Sequence, residues 1–258
     1  MAVVTSAWKV SMIDTELKGS RAAVVTCPRG DPNAKSARKH RMELDGKIAL
    51  ITGASSGIGR EVALQMGAAG AVLALSARRE ADLTAVAEQV PSGSSIHVAD
   101  LGESVQALRL ADSVVAEHGR VDILVAVAGT KVAGPISALS LDDLSRAYLV
   151  NAVSPMALAG RLAPAMVERK SGLIATVTTS ISGGRRDLGA YAGSKAALAS
   201  MTQSLRQEVG AKGVAVFCFD PGWVRTRMAP DGTEEPCTAA ARLVEHIKLG
   251  KGSRETLT

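Results

Sequence analysis

From Lys47 onward the chain alternates short, β-branched, almost wholly apolar runs with Ala- and Leu-rich stretches of helical character. The apolar runs predict strands at Lys47–Thr52, Ala71–Ser76, Ser95–Ala99, Val121–Val127, Leu173–Thr178 and Val214–Phe219. Between and after them the pattern predicts helices over Ile58–Ala69, Glu80–Gln89, Glu103–His118, Leu141–Lys170, Ala190–Gly210 and Cys237–Leu249. Strands without polar alternation suit a parallel sheet covered on both faces. Strict β/α alternation points to an α/β fold with a doubly wound parallel sheet, the Rossmann arrangement, in a single domain. After the last helix comes Gly250-Lys-Gly-Ser-Arg-Glu-Thr-Leu-Thr, so a final seventh strand is expected to be missing.

Composition adjusts this picture in three places. Aromatics make up only 2% of the chain, so Ala, Val, Leu and Ile must build the core. No apolar run approaches the ~18 residues of a membrane span, and no membrane partner is expected. The three cysteines, Cys27, Cys218 and Cys237, lack metal-ligand spacing and read as reduced thiols of a cytoplasmic protein.

Charge is unevenly placed. Residues 1 to 41 carry eight Lys/Arg against Asp14, Glu16 and Asp31, a surplus of five that equals the formal net charge of +5. The remainder is neutral, which argues against a nucleic-acid groove on the folded domain. Residues 1–41 are aperiodic and interrupted by Pro28, Gly30 and Pro32, and they read as a disordered basic leader. Residues 42–258 are then expected to form the folded domain, opening on Met42-Glu-Leu-Asp-Gly-Lys-Ile-Ala-Leu-Ile-Thr-Gly.

The candidate chemistry lies in two places. Thr52-Gly-Ala-Ser-Ser-Gly-Ile-Gly59 follows a predicted strand and opens a helix. Glycines there permit a tight turn and let backbone N–H groups approach a pyrophosphate at a helix N-terminus. About 140 residues later, Tyr191 and Lys195 stand four apart on a helical stretch, on one face. A phenol beside an ammonium can move a proton while a nicotinamide cofactor moves a hydride.

From about Met42 to Met228 the chain resembles the short-chain dehydrogenase/reductase family, in the branch with Thr-Gly-x-x-x-Gly-x-Gly and Tyr-x-x-x-Lys motifs. The matching features are the glycine run, Asp100-Leu101 after the third strand, Asn151, Tyr191/Lys195 and Pro221-Gly222-Trp-Val-Arg-Thr226. The resemblance implies an oxidoreductase interconverting a carbonyl and a primary or secondary alcohol, with Tyr191 as general acid/base. An isolated phenol titrates near ~10, so exchange near neutral pH asks its surroundings for on the order of 4 kcal/mol, expected from Lys195 and the oxidised cofactor. Lys195 would also hold the cofactor's ribose hydroxyls, and Asn151 would hold a water near Lys195. Ser180, followed by Gly183, best matches the family's substrate-holding hydroxyl. It lies eleven residues before Tyr191 rather than the usual thirteen, and Thr178 stands at thirteen.

The resemblance also assigns the cofactor contacts to Gly53, Ser55, Ser56, Gly57, Ile58, Gly59, Arg78, Asp100, Leu101, Ala128, Gly129, Tyr191, Lys195, Pro221, Gly222, Val224 and Thr226. NAD-preferring relatives place an Asp where Ala77 stands; here Arg78 follows instead, and a guanidinium suits a 2′-phosphate. NADP(H) is the expected cofactor. One departure is Ala126-Val-Ala-Gly129 in place of the family's Asn-Asn-Ala-Gly, which removes polar bracing of the central sheet.

His40, His97, His118 and His246 show no ligand spacing, and no metal is assigned. By analogy with relatives, the two longest helices form a homodimer or homotetramer interface. The remaining partner is a small carbonyl or alcohol substrate. A competing reading is a low-turnover NADP-binding regulatory or scaffold protein of the same fold.

Overall fold

The computed structural model describes residues 41–253 and 256–258. The expected leader therefore lies outside the described residues, apart from Arg41. Six strands form one parallel sheet: β1 Ile48–Thr52, β2 Val72–Ala77, β3 Ser94–Val98, β4 Ile123–Ala126, β5 Gly172–Val177 and β6 Val214–Phe219. Their order is β3-β2-β1-β4-β5-β6, the doubly wound order, with the chain reversing direction across the sheet between β1 and β4. Register is direct: Leu50 lies beside Ala74 on β2 and Leu124 on β4.

Successive strand residues point to opposite faces, and here both faces are buried, which explains the unbroken apolar runs. One face carries Ile51, Leu73, Leu75, Phe217 and Phe219. It is covered by α1 Gly57–Ala68, α2 Glu80–Ala87 and α7 Pro236–Leu249, through residues such as Met66, Leu83 and Leu243. The other face carries Leu50, Leu124, Ile174 and Val216. It packs on α3 Gln106–His118 and α5 Ser154–Glu168 through Leu110, Val114, Leu158 and Leu162. The remaining helices are α4 Leu141–Tyr148 and α6 Gly189–Val209.

The sequence pattern predicts one helix from Leu141 to Lys170, but the structure divides it. Between α4 and α5 the chain makes a π-helical turn over Leu149–Val153, in which the Ser154 N–H bonds the Leu149 carbonyl. Pro155 supplies the physical reason. It lacks the N–H that a regular helix would direct at the Asn151 carbonyl, four residues back. The ladder changes register instead, and Asn151 sits inside the π turn rather than in the middle of a regular helix.

No seventh strand follows β6 among the described residues, yet its edge is covered. Leu257 makes an isolated parallel bridge with Phe219, its N–H donating to the Cys218 carbonyl at 2.9 Å. The Asp220 N–H returns a bond to the Leu257 carbonyl at 2.7 Å. A short backbone contact thus pairs part of an edge that would otherwise be open.

Candidate active site

A cleft of 360 Å³ opens at the carboxyl ends of the strands, at the switch between β1 and β4. All the residues assigned to the cofactor line it: Gly53, Ser55, Ser56, Gly57, Ile58 and Gly59 from the first turn, Arg78 after β2, and Asp100 and Leu101 after β3. Ala128 and Gly129 after β4, Tyr191 and Lys195 on α6, and Pro221, Gly222, Val224 and Thr226 after β6 complete the set.

The first turn is shaped by what its glycines lack. Gly53 has φ +69° and Gly57 φ +56°, conformations that side chains disfavour. At Gly59 the reason is space: an added Cβ would stand 2.3 Å from the Gly53 carbonyl oxygen. The same turn is fastened to β4 by the Ala128 N–H, which donates to Thr52 Oγ1 at 3.2 Å.

Across the cleft the wall is made of side chains. Lys195 is buried on α6, and its Nζ donates to the Val177 carbonyl at 2.6 Å. Thr178 Oγ1 donates to the Lys195 carbonyl at 3.2 Å. Asn151 is fully buried and clamps the loop after β4: its Oδ1 accepts from the Thr130 N–H at 2.8 Å, and its Nδ2 donates to the Thr130 carbonyl at 2.9 Å. Nδ2 also donates to Ser194 Oγ at 2.9 Å, and that hydroxyl donates to the Tyr191 carbonyl at 2.8 Å. An α6 residue is thereby held to the π turn, and the turn to the cleft floor. Gly129 keeps the floor low, since a Cβ there would lie 3.3 Å from Asn151 Oδ1 and 3.6 Å from Lys195 Nζ.

Burial dominates the electrostatics. Desolvation lowers the Lys195 ammonium to about 8, so it releases its proton far more readily than a solvated lysine. Desolvation, and then the negative charge of Asp220, push the Tyr191 phenol above its ordinary value. The expected acidification of Tyr191 is thus absent from the cofactor-free protein. The phenol is held protonated, the state a proton donor needs. Burial also works against the Asp100 carboxylate, but the Gly102 N–H, Arg146 and Arg78 hold it below the ordinary value.

Of the assigned catalytic residues, Tyr191 and Lys195 line the cleft; Asn151 is buried next to it, at the Gly129 floor. Ser180 is exposed and lies outside the lining, in a short 3₁₀ turn over Ser180–Gly183. Thr178 and Thr179 line the cleft in its stead, with Thr178 tied to α6. Thr179 was not singled out by spacing, because the shortened loop moves the count by a residue. Ser194, Thr130 and Ser76 were also missed. Ser194 is the most legible of these, standing three residues after Tyr191 on the same helix. Ser76 lines the cleft with a buried Oγ that has no hydrogen-bond partner.

Those features define a dinucleotide-type α/β cleft with a phenol and a buried amine at one end. The family profile described as short chain dehydrogenase matches residues 47–236. The chain is 37% identical over 232 residues to a short chain dehydrogenase of Pseudocercospora fijiensis, a match covering 87% of this chain and 75% of that protein. It is 33% identical over 202 residues to a dehydrogenase/reductase SDR family protein 7-like of Drosophila melanogaster, covering 75% of this chain and 62% of that one. Among solved structures, a metagenomic short-chain oxidoreductase in complex with NADP superposes with a TM-score of 0.75 at 30% identity, over 84% of this chain and 98% of that one. This chain belongs to the short-chain dehydrogenase/reductase family, a family of oxidoreductases. It spans less than two thirds of the fly relative's length.

Proposed function

We propose that the chain is an NADP(H)-dependent oxidoreductase that interconverts a small carbonyl compound and its alcohol, with Tyr191 as the proton-transfer group. The observation that carries this is the placement of Tyr191 and the buried Lys195 in the same cleft as the glycine turn. The residues fit a dinucleotide. Gly53, Gly57 and Gly59 line the cleft at the first turn of α1, where helix N-terminal N–H groups suit a phosphate, and the Ser76 hydroxyl, buried without a partner, can be satisfied by a ligand group.

When bound, the nicotinamide supplies hydride donation or acceptance. The protein's own residues supply the rest. Tyr191, kept protonated by burial, donates its proton to the carbonyl oxygen in reduction and takes it back from the alcohol in oxidation. Lys195 would hold the ribose hydroxyls of a bound dinucleotide and replenish the phenol. Its lowered value near 8 makes proton release from the amine easy. Thr179 is the hydroxyl best placed to hold the substrate oxygen, because it lines the cleft while Thr178 bonds α6 and Ser180 lies outside. Asn151 fixes the loop after β4 and, through Ser194, the backbone of Tyr191. Ile181, Leu188, Trp223 and Met228 supply an apolar lining for the substrate's carbon skeleton.

NADP(H) rather than NAD(H) rests on Arg78, which lines the cleft and forms no hydrogen bond or ion pair to a described residue. The two described cysteines are free, in keeping with a reducing cytoplasm. Exposed Leu141, Tyr148, Val153 and Met201 on α4, the π turn and α6 support a homo-oligomer.

The test is NADPH oxidation at 340 nm against a panel of aldehydes and ketones. Tyr191→Phe is expected to lower kcat by roughly 10²–10⁴ while leaving NADPH affinity within a few-fold. NADPH binding without Tyr191-dependent turnover on any carbonyl would instead support the low-turnover binder.

A further inference from the structure

At the outer edge of the sheet, away from the cleft, the fold gathers two histidines that sequence spacing leaves apart. His97 lies on β3, and His118 is the last residue of α3, which runs back over the same face. Ser95 Oγ sits between the two rings, 2.9 Å from His97 Nε2 and 2.7 Å from His118 Nε2. The Glu117 carboxylate stands 3.4 Å from His97 Nε2 and 4.0 Å from His118 Nε2. One ligand atom from each of His97, Glu117 and His118 falls within 4.8 Å of the others.

We propose that His97, Glu117 and His118 form a binding site for a divalent transition-metal ion of the zinc class, with Ser95 or a water as the fourth ligand. The side chains around His97 select its metal-binding form. Its Nδ1 lies 3.1 Å from Ser113 Oγ, and that hydroxyl donates its only proton to the Leu110 carbonyl at 3.0 Å. Ser113 therefore accepts from Nδ1–H, which leaves the Nε2 lone pair aimed at the cluster. A hydrogen bond to the second ring nitrogen is the support that metal-bound histidines ordinarily have.

That lone pair faces a carboxylate oxygen, and two electron-pair donors at 3.4 Å are stabilised by a positive centre between them. Two imidazoles and a carboxylate match the N/O preference of zinc, whose bonds of ~2.1 Å place tetrahedral ligand atoms about 3.4 Å apart. The His97–Glu117 pair already has that spacing, and the wider pairs, at 4.0 Å and at most 4.8 Å, must close to reach it. Glu117 has the freedom to do so, with its side chain 52% exposed. His118 at the carboxyl end of α3 adds the favourable field that a helix C-terminus gives a cation. A bound ion would tie the edge strand to the far end of α3.

The experiment uses the full chain without a polyhistidine tag, stripped with EDTA and titrated with zinc chloride by calorimetry. Expected are one ion per chain, a thermal midpoint raised by zinc, and a cobalt(II) derivative with the visible absorption of a tetrahedral site. His118→Asn and Glu117→Gln should each weaken zinc binding at least tenfold, and Ser113→Ala about tenfold. Absence of stoichiometric zinc binding and of the cobalt band would overturn the assignment and leave a purely hydrogen-bonded cluster. Undiminished affinity in both ligand variants would overturn it too, moving the ion to other histidines. The cobalt spectrum of the unaltered chain decides the matter even if a variant fails to fold.

Discussion

The two walls of the cleft are built from different material. The cradle wall is backbone: a turn whose shape depends on missing side chains, with Gly59 packed against the Gly53 carbonyl. The wall we propose for proton transfer is side chain: Asn151 bonded to Ser194 and Thr178 bonded to Lys195, all four buried. A wall made by omission tolerates no added atom. A wall made of buried polar groups tolerates substitution but registers every change of charge.

The sharpest test of that contrast adds one methyl group. In Gly59→Ala the new Cβ would meet the Gly53 carbonyl oxygen at 2.3 Å and its carbon at 2.8 Å, backbone atoms that cannot rotate away. A loss of about 3 kcal/mol or more in urea denaturation is expected, together with loss of dinucleotide binding. Gly160→Ala, in α5 with nothing within 4 Å of the added carbon, is the control. It should raise stability by about 0.5–1 kcal/mol. Similar behaviour of the two variants would erase the distinction between the walls.

The proton-transfer wall is probed by pH. Lys195 binds its proton with a value near 10.5 when unfolded and about 8 when folded. Between those values the unfolded chain holds more protons, so stability rises with pH. The burial cost is fully present below pH 8 and is relieved toward pH 10.5, about 3 kcal/mol in all. Tyr191 acts in the opposite sense, but only above its unfolded value near 10.0, because its folded value is raised. Cofactor-free protein should therefore gain stability from pH 8 to 10, and Lys195→Met should lose that slope. Equal slopes for the two proteins in urea denaturation would mean that the amine is not desolvated.

The walls also differ in how far they could be read from sequence. The strands and the cradle were legible because apolar runs and glycine spacing are local signals. All the assigned cofactor residues line the cleft. The side-chain wall was legible only as residue types. Tyr191, Lys195 and Asn151 stand out, but not the Ser194 and Thr130 contacts that hold them, since those join residues 43 and 21 positions apart. Ser180 was preferred over its neighbours because counting along a shortened loop cannot say which hydroxyl turns inward. The π turn was hidden for a similar reason: periodicity runs through Pro155, and only the missing N–H marks the change of register. The histidine pair at the β3 edge follows the same logic, brought together by the crossover of α3.

The mildest effect is expected at the far end of the cradle, where backbone gives way to a charged side chain. Three arginines approach this corner: Arg78, Arg79 and Arg227 all line the cleft. Arg79 and Arg227 are already engaged with Asp82, at 2.5 and 3.4 Å. That carboxylate is lowered first by its hydrogen bond from Arg79. Exposed pairs of this kind contribute little to stability, but they do occupy the guanidinium groups that form them. Arg78 has no such partner among the described residues, and its field falls on Asp100 in the cleft wall. Among the described arginines of this corner, its charge is the one we propose for a 2′-phosphate. Arg78→Ala should weaken NADPH binding about tenfold, roughly 1.4 kcal/mol, and leave NADH binding unchanged. Arg79→Ala should do less, because Asp82 already neutralises that side chain. Fluorescence titration of both cofactors against both variants reads the difference. An equal loss for NADH and NADPH in Arg78→Ala would show that Arg78 touches what the two cofactors share, and selectivity for NADP(H) would have to come from elsewhere in the cleft.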